Sequence, residues 1–526
     1  MNENLIAGVN EMPFIENVSV EKGDVIKSKE TKYSLEQMLK DNLSCEMFHF
    51  VLNVFYSPHL VIKCILAFFI LVACGLASYT TITLVLTYME YNVITTTRII
   101  NETPAVFPKV TICNKNPFTS RNAFEFLSES NFLNMSRINE TLNGDRTLAN
   151  QYFARLRAGL FGQIQNMPDE KKKKFSHDLN DTLLSCLFSY QPCNSDDFEW
   201  KWDSNYGNCF VFNSEFNSSG QKVELRKSSI GGNIYGLQIE MYVNFYEYLK
   251  HFDFILESYD SGLVIRFDNV SHVVDYSYDG IFISPGYRTY LALDRQFKTS
   301  LWKPYSNCDD LSDGNFKSDL FKLISHSKYS YTQKFCLQQC FQELIYKECD
   351  CLDSDFASLR NANFCMTDVS IECAWKAWLN IYVKNDYIQD ICLPQCPLEC
   401  NSTQITFTLS FTELLPSMLV NVLKRNPNLS SDFINRSIED ETIVLQSVVK
   451  LNIFYNSLSY TISTESPQMD LISLIANIGG NLGLFMGVCL FSLAEIIVTL
   501  IELAFIKYST NKKVKKEAFF NKKRPF

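Results

Sequence analysis

Residues 471–506 read LISLIANIGGNLGLFMGVCLFSLAEIIVTLIELAFI, and this stretch decides the architecture. It holds no basic residue, and its only charges are Glu495 and Glu502. A helix needs about 20 apolar residues to cross about 30 Å of hydrocarbon. At about 1.5 Å per residue this one would run about 54 Å, so it must project, tilt or break. A second such run, CILAFFILVACGLASYTTITLVLTYM, occupies residues 64–89. Two crossings put both termini on one side of a membrane and the middle of the chain on the other. The expected organisation is a tail with a re-entrant segment (1–58), a first span (59–89), an outside domain (90–470), a second span (471–506) and a basic tail (507–526).

Charge orients the chain. Lys507, Lys512, Lys513, Lys515, Lys516, Lys522, Lys523 and Arg524 follow the second run, and Lys63 stands just before the first. By the positive-inside rule both tails are cytoplasmic. The first run begins too deep and is too long for a cleaved signal peptide, so it reads as a retained signal anchor. Ahead of it, CEMFHFVLNVFYSPHL (45–60) is apolar up to Pro58 and suits a short helix on the inner membrane face. The 526 residues are 46% hydrophobic, enough for a large core besides two spans. A net charge of −10 argues against nucleic acid as a partner, which wants a basic face. The 41 Phe and 26 Tyr suit both a packed domain and membrane interfaces.

Of 18 cysteines, Cys45, Cys64, Cys74 and Cys489 fall in the tail or the spans. The other fourteen are Cys113, Cys186, Cys193, Cys209, Cys308, Cys336, Cys340, Cys349, Cys351, Cys365, Cys373, Cys392, Cys396 and Cys400. An even set in an oxidising compartment reads as disulfides, with the pairing left open. The tight spacing of Cys336 with Cys340 and of Cys349 with Cys351 also fits zinc, but histidines are scarce nearby and the compartment is wrong. No metal and no cofactor is expected. Asn-x-Ser/Thr sequons at Asn101, Asn134, Asn139, Asn180, Asn217, Asn269, Asn401, Asn428 and Asn435 add weight to an extracellular middle.

Along that middle, FPKVTIC from Phe107 alternates around β-branched residues and reads as a strand. NAFEFLSES and NQYFARLRAGL are helical patches, and NCFVFN, LQIEMYVNFY and GLVIRF are strands. SYTQKFCLQQCFQELIYKEC is helix-like, and TIVLQSVVKLNIFYNSLSYTIST is a second strand region leading into the last span. No internal repeat is visible. The outside domain is therefore α+β. If the strand after Phe107 pairs with the strand before Pro467, both spans hang from one sheet, although the same pairing would serve a plain core.

FPKVTICNKNPF (107–118), YTQKFCLQQCFQELIYKECDC (331–351), CPLECN (396–401) and ANIGGNLGLFMGVC (476–489) occur in this order. With the fourteen cysteines they resemble the degenerin, epithelial sodium channel and acid-sensing ion channel superfamily, over His49 to about Ile506. The resemblance implies an α+β membrane protein with two transmembrane helices and a large, disulfide-rich, hand-like extracellular domain. It implies a plasma-membrane homo- or heterotrimer with related subunits, and a sodium-preferring pore usually blocked by amiloride. Its partners would be membrane lipid, sodium ions and an extracellular peptide or proton ligand.

Gly479, Gly483 and Gly487 recur every fourth residue and give one face free of side chains, where backbones can approach closely. On spacing alone a helix-packing seam is the better reading; the resemblance favours a pore. In relatives a Gly-x-Ser tripeptide interrupts this helix and narrows the pore with backbone carbonyls. The matching residues are Gly487, Val488 and Cys489, with Cys in place of Ser, which leaves sodium preference over potassium open and invites block by thiol reagents. Ala476, Asn477, Gly479, Gly480 and Gly483 would form the pore mouth and gate. Asn477 stands where acid-sensing relatives carry Asp, and a larger side chain at Ala476 should wedge the pore open. Glu495 matches an acidic position below the filter; three copies would make a carboxylate ring that concentrates cations. A pairing with a neighbouring basic residue is the blander alternative, and for Glu502, close to Lys507, the preferred one.

Relatives carry His-Gly before the first span, and His49-Phe50 stands there now, without the backbone freedom of Gly. Their His pair above the first span is Asn92 and Val93 here. Tyr91 is retained, and Tyr305 replaces a Trp; the resemblance has this aromatic pair couple the outside domain to the span, where a buried aromatic contact would look the same. Histidine titrates between pH 5 and 8, but only six are present. Peptide, proton, mechanical force and constitutive leak all remain open as stimuli. An ATP-gated trimeric channel would want phosphate-binding Lys and Arg motifs that are not visible. A receptor or ectoenzyme would want a catalytic motif, and none is found. An accessory, non-conducting subunit of a heterotrimer is the remaining alternative.

Overall fold

A computed structural model of the chain describes residues 58–129, 158–203, 205–243, 261–268, 280–309, 318–327, 329–383, 388–424 and 445–487, with Val54, Ile497, Val498 and Ile501. Contacts divide it into two units, residues 1–90 with 469–526, and residues 91–468.

In the first unit, α1 (Leu60–Met89) is an unbroken 30-residue helix with a mean hydropathy of 2.7 over its most apolar window. Among the described residues it is the one helix long and apolar enough to cross a membrane. At about 1.5 Å per residue it reaches about 45 Å. Its large apolar side chains, Phe68, Phe69, Leu71, Ile82 and Leu86 among them, face outward, and only Ala77 is buried. The hydroxyls of Thr80, Thr83 and Thr87 donate to the carbonyls of Leu76, Tyr79 and Thr83 at 2.8, 2.9 and 3.0 Å. A polar group folded onto its own helix is one that an apolar solvent tolerates.

Besides two two-stranded sheets, the second unit holds two large ones. Their strands are β1 (Val93–Asn101), β2 (Lys109–Asn114), β3 (Leu183–Phe188), β4 (Phe198–Asp203), β5 (Gly207–Phe212), β6 (Leu237–Tyr242), β7 (Leu263–Asp268), β8 (Ile281–Ile283), β9 (Tyr287–Thr299), β10 (Asn401–Glu413) and β11 (Val448–Pro467). A seven-stranded sheet runs β10-β9-β11-β6-β3 and ends on the short strand Gln191–Pro192, with β1 beside β11. β9 and β11 run parallel and their register shifts between Leu293 and Arg295. The other sheet, five-stranded, runs β8-β7-β2-β5-β4.

The pairing expected of the strand after Phe107 is not what forms. That strand, β2, lies between β7 and β5 in the five-stranded sheet. It is β1 that pairs antiparallel with β11, from Val93 opposite Pro467 to Asn101 opposite Ser459. The reason is packing: Val110 and Ile112 of β2 are fully buried, which a central strand provides, whereas every residue of β1 is exposed.

The core sits between the sheets. Phe107, fully buried, packs edge to face against Phe188 (centroids 5.1 Å apart) and Tyr455 (5.8 Å), with Phe212 at 6.3 Å. The Tyr455 hydroxyl donates to the Val106 carbonyl at 2.7 Å. Truncating Phe107 to Ala would cost about 3–5 kcal/mol, the range for large aromatic side chains in closed cores.

All fourteen cysteines between residues 113 and 400 are in disulfides: 113–209, 186–193, 308–400, 336–396, 340–392, 349–373 and 351–365. The zinc alternative at Cys336, Cys340, Cys349 and Cys351 falls with them. Cys336 and Cys340 are one turn apart on α2 (Gln333–Cys349), so they share a face and meet Cys396 and Cys392, which share the same spacing. Cys349 then ties α2 to α3 (Asp368–Val383). Cys64 and Cys74 of α1 are free thiols.

Candidate functional site

The last described helix, α4 (Leu471–Met486), opens at Asp470, whose carboxylate accepts from the Ser473 backbone N–H at 2.7 Å. This N-cap satisfies one of the four amides a helix start leaves without partners. The bonds from Ser473 hold the Asp470 carboxyl below the usual carboxylate range. Ala476, Asn477, Gly479, Gly480 and Gly483 follow, all exposed. α4 packs on α1 within its unit, yet a Cβ built on Gly479 or Gly480 would meet nothing within 4 Å. Gly479, one of the three glycines of the expected seam, and Gly480 therefore meet no other helix among the described residues.

α4 stops at Met486. Gly487 turns left-handed (φ 65°, ψ 18°), and its N–H bonds back to the Gly483 carbonyl at 3.0 Å. A residue with a Cβ would lose about 1–2 kcal/mol in that conformation; glycine ends helices this way routinely. Of the three expected outcomes for this long segment (project, tilt or break), the helix end at Met486 fits a break, at the first residue of Gly487-Val488-Cys489. Val488, Cys489 and Glu495 lie outside the described residues, as do His49 and Phe50; Ile497, Val498 and Ile501 are helical again.

In the other unit, the Gln468 N–H donates to the Asn92 carbonyl at 2.9 Å, closing the β1–β11 ladder at its foot. Tyr91, in a left-handed turn at φ 51°, meets Tyr305 edge to face, with ring centroids 5.5 Å apart. The loop bearing Tyr305 is held at both ends. The Leu301 N–H donates to the Glu465 carboxylate at 3.1 Å, and Cys308 is bridged to Cys400.

Some residues that organise this sheet carry no sequence signal. Arg295, 9% exposed, fills the β9–β11 register shift. It bonds Glu102 at 2.5 Å and the Leu458 carbonyl at 2.9 Å, and its guanidinium carbon lies 4.8 Å from the Tyr455 ring centroid and 5.3 Å from that of Tyr460. In the five-stranded sheet Arg266 pairs with Asp203 at 2.7 Å, both nearly buried. Burial raises Asp268 to about 6 and lowers Lys109, its neighbour in the β2–β7 register. Burial, then the Asp355 charge, also raises Asp353.

Of the sequons, Asn101, Asn180 and Asn401 are exposed and Asn217 is half-buried; Asn134, Asn139, Asn269, Asn428 and Asn435 lie outside the described residues. No group of three or more metal-binding side chains occurs among the described residues.

The profile of the amiloride-sensitive sodium channel family (ASC) matches residues 42–499. The chain belongs to this family of ion channels; it is not an enzyme. Acid-sensing ion channel 1A of Danio rerio is 25% identical over 469 residues, 86% of each chain. The epithelial sodium channel subunit beta of Neoceratodus forsteri is 26% identical over 360 residues, 66% of this chain and 52% of that one. Degenerin mec-10 of Caenorhabditis briggsae is 26% identical over 343 residues, 64% of this chain and 43% of that one. The chain thus spans about half the length of these last two relatives.

Proposed function

We propose that this chain is a subunit of a trimeric, sodium-preferring, amiloride-sensitive cation channel of the plasma membrane, with two spans and both termini cytoplasmic. The observation that carries the reading is the end of α4. The helix breaks at Gly487, where the family tripeptide begins, and leaves Gly479 and Gly480 open to neighbours outside the chain. Three such breaks around an axis would turn backbone carbonyls toward passing ions, replacing water in their hydration shells. Glu495 would concentrate cations below them. An extracellular stimulus, whether peptide, proton or force, or else a constitutive leak, would set the open probability. Family membership removes the ATP-gated alternative.

The test is whole-cell current from the chain alone carrying Ala476→Phe, in sodium and then potassium, with and without amiloride. A sodium-preferring, amiloride-blocked current is expected; no rise in resting current with normal surface expression counts against this pore mouth. Glu495→Gln should then lower single-channel conductance, and an unchanged value removes the carboxylate ring. The second reading, an accessory subunit, is favoured by Phe50 and Cys489, which replace the family's Gly and Ser. It predicts silence alone and current only with a related subunit.

A further inference from the structure

The loop between β9 and Cys308 reads SLWKPYSNC (300–308). Its backbone is closed on the sheet and on itself. The Ser300 N–H donates to the Cys400 carbonyl at 2.8 Å, the Ser306 hydroxyl to the Leu301 carbonyl at 2.5 Å, and the Tyr305 N–H to the Trp302 carbonyl at 3.1 Å. Yet Trp302 on this fixed turn is 57% exposed, with Lys303 and Pro304 exposed beside it. Lys303 makes no ion pair among the described residues.

A single exposed aromatic is ordinary on a protein surface; its place is what counts here. β9 runs parallel to β11 and ends at Thr299, level with Thr464, which in turn faces Thr96 of β1. The turn therefore continues toward the end of the β1–β11 ladder, where Val93 faces Pro467. The Leu301 bond to Glu465, one residue nearer that end than Thr464, agrees. Val93 follows Met89, the last residue of α1, by four residues, at most about 14 Å of chain. At about 45 Å, α1 matches a bilayer counted with both headgroup layers, about 40–45 Å.

We propose that the Trp302-Lys303-Pro304 turn docks on the outer lipid surface, with the indole in the headgroup layer and the Lys303 ammonium on a lipid phosphate. An indole combines an apolar body with a polar N–H and collects at such interfaces, and the long lysine stem lets its charge reach a phosphate. Through the Tyr305 bond to Trp302, a lipid hold on the indole would reach the ring that meets Tyr91. The inference rests on the reading of α1 as a membrane span.

The test places the full-length protein in phosphatidylcholine nanodiscs, plain or brominated on the upper acyl chains, and reads tryptophan emission. The chain has five tryptophans, so comparison of the parent with Trp302→Phe isolates one. Expected is quenching by the brominated lipid that is mostly lost in Trp302→Phe, reduced in Lys303→Gln and kept in Lys303→Arg. Inorganic phosphate added to the protein in detergent should leave the Trp302 emission unchanged; a saturable change would show a soluble-anion site instead and overturn the lipid assignment. Equal quenching in the parent and Trp302→Phe, or quenching indifferent to Lys303→Gln, also overturns it. In the first case, protection of Trp302 from iodide in detergent would identify a neighbouring subunit as its cover. Protein that fails to enter the discs removes the span and this inference with it, whereas protein that enters without quenching at Trp302 overturns the docking alone.

Discussion

Tyr91 and Tyr305 meet edge to face at 5.5 Å between centroids with their planes at 87°, joining the turn ahead of β1 to the loop that follows β9. That loop is also tied to β11 through Leu301 and Glu465. An edge-to-face pair contributes about 0.5–1.5 kcal/mol beyond its buried area. A double-mutant cycle of Tyr91→Leu and Tyr305→Leu on thermal unfolding should therefore give a coupling near 1 kcal/mol, and Tyr305→Trp should preserve it. Additive single effects would mean that the contact contributes nothing, and the aromatic link could not be invoked in gating.

Arg295 presents a different balance. Its guanidinium is nearly buried, and its Nη atoms bond Glu102 and Leu458 where β9 slips against β11. Removing one partner of a buried charge pair typically costs about 3–5 kcal/mol, because the other charge is left uncompensated. Arg295→Met keeps the stem and leaves Glu102, which is 39% exposed and can turn to water. Glu102→Gln leaves the arginine buried with a weaker acceptor. Both variants should lower Tm, Arg295→Met more, since it also empties the contacts with Tyr455 and Tyr460. Equal Tm in Arg295→Met and the parent would show that the register shift holds without it.

The left-handed Gly487 gives a prediction on α4, the helix proposed to line the pore. Gly487→Ala places a Cβ at φ 65°, and Gly487→Asn places a residue that tolerates this conformation better. In an Ala476→Phe background, single-channel conductance should fall in the order Gly, Asn, Ala at comparable surface expression. An Ala variant conducting like the parent would mean that the break at residue 487 is not kept in the conducting state.

What could be read from the chain followed physical signal strength. α1 is legible because 30 residues without a carboxylate have few uses other than a span. β1 is not, because VITTTRIIN is exposed on both faces and shows no alternation of burial; only its ladder with β11 fixes it as a strand. The even cysteine set implies bridges, but the 308–400 and 113–209 pairs join residues far apart in sequence that only the folded sheets and helices bring together. Arg295 is similar: its partners come from β11 and from Glu102 just past β1, which no local pattern announces. Spacing alone makes Gly479, Gly483 and Gly487 a packing seam, and only the open space at Gly479, seen among the described residues, speaks against a contact there with the chain's own helices.

Asp268 yields a pH dependence whose sign can be worked out. Burial raises its carboxyl from 3.8 to about 6, although Lys109 and Arg266 pull it down. Lys109 is lowered by burial too, so desolvation outweighs the attraction between them. The Asp268 Oδ1 atom has no hydrogen-bond partner. A carboxyl raised on folding holds its proton more tightly in the native state, so stability is greatest below about pH 4 and is lost as pH rises through 6. Lys201 and Glu199 act on the same pair through space, with opposite signs on Lys109. Asp268→Asn stays neutral throughout, as the parent's carboxyl does at low pH, and leaves Lys109 without a counter-charge only where the parent's carboxyl is ionised. The slope is the test. Between pH 4.5 and 7.5 the difference between variant and parent should shift by about 2 kcal/mol in favour of the variant. A difference that does not change with pH would mean that Asp268 titrates near its ordinary value, with water reaching the carboxylate.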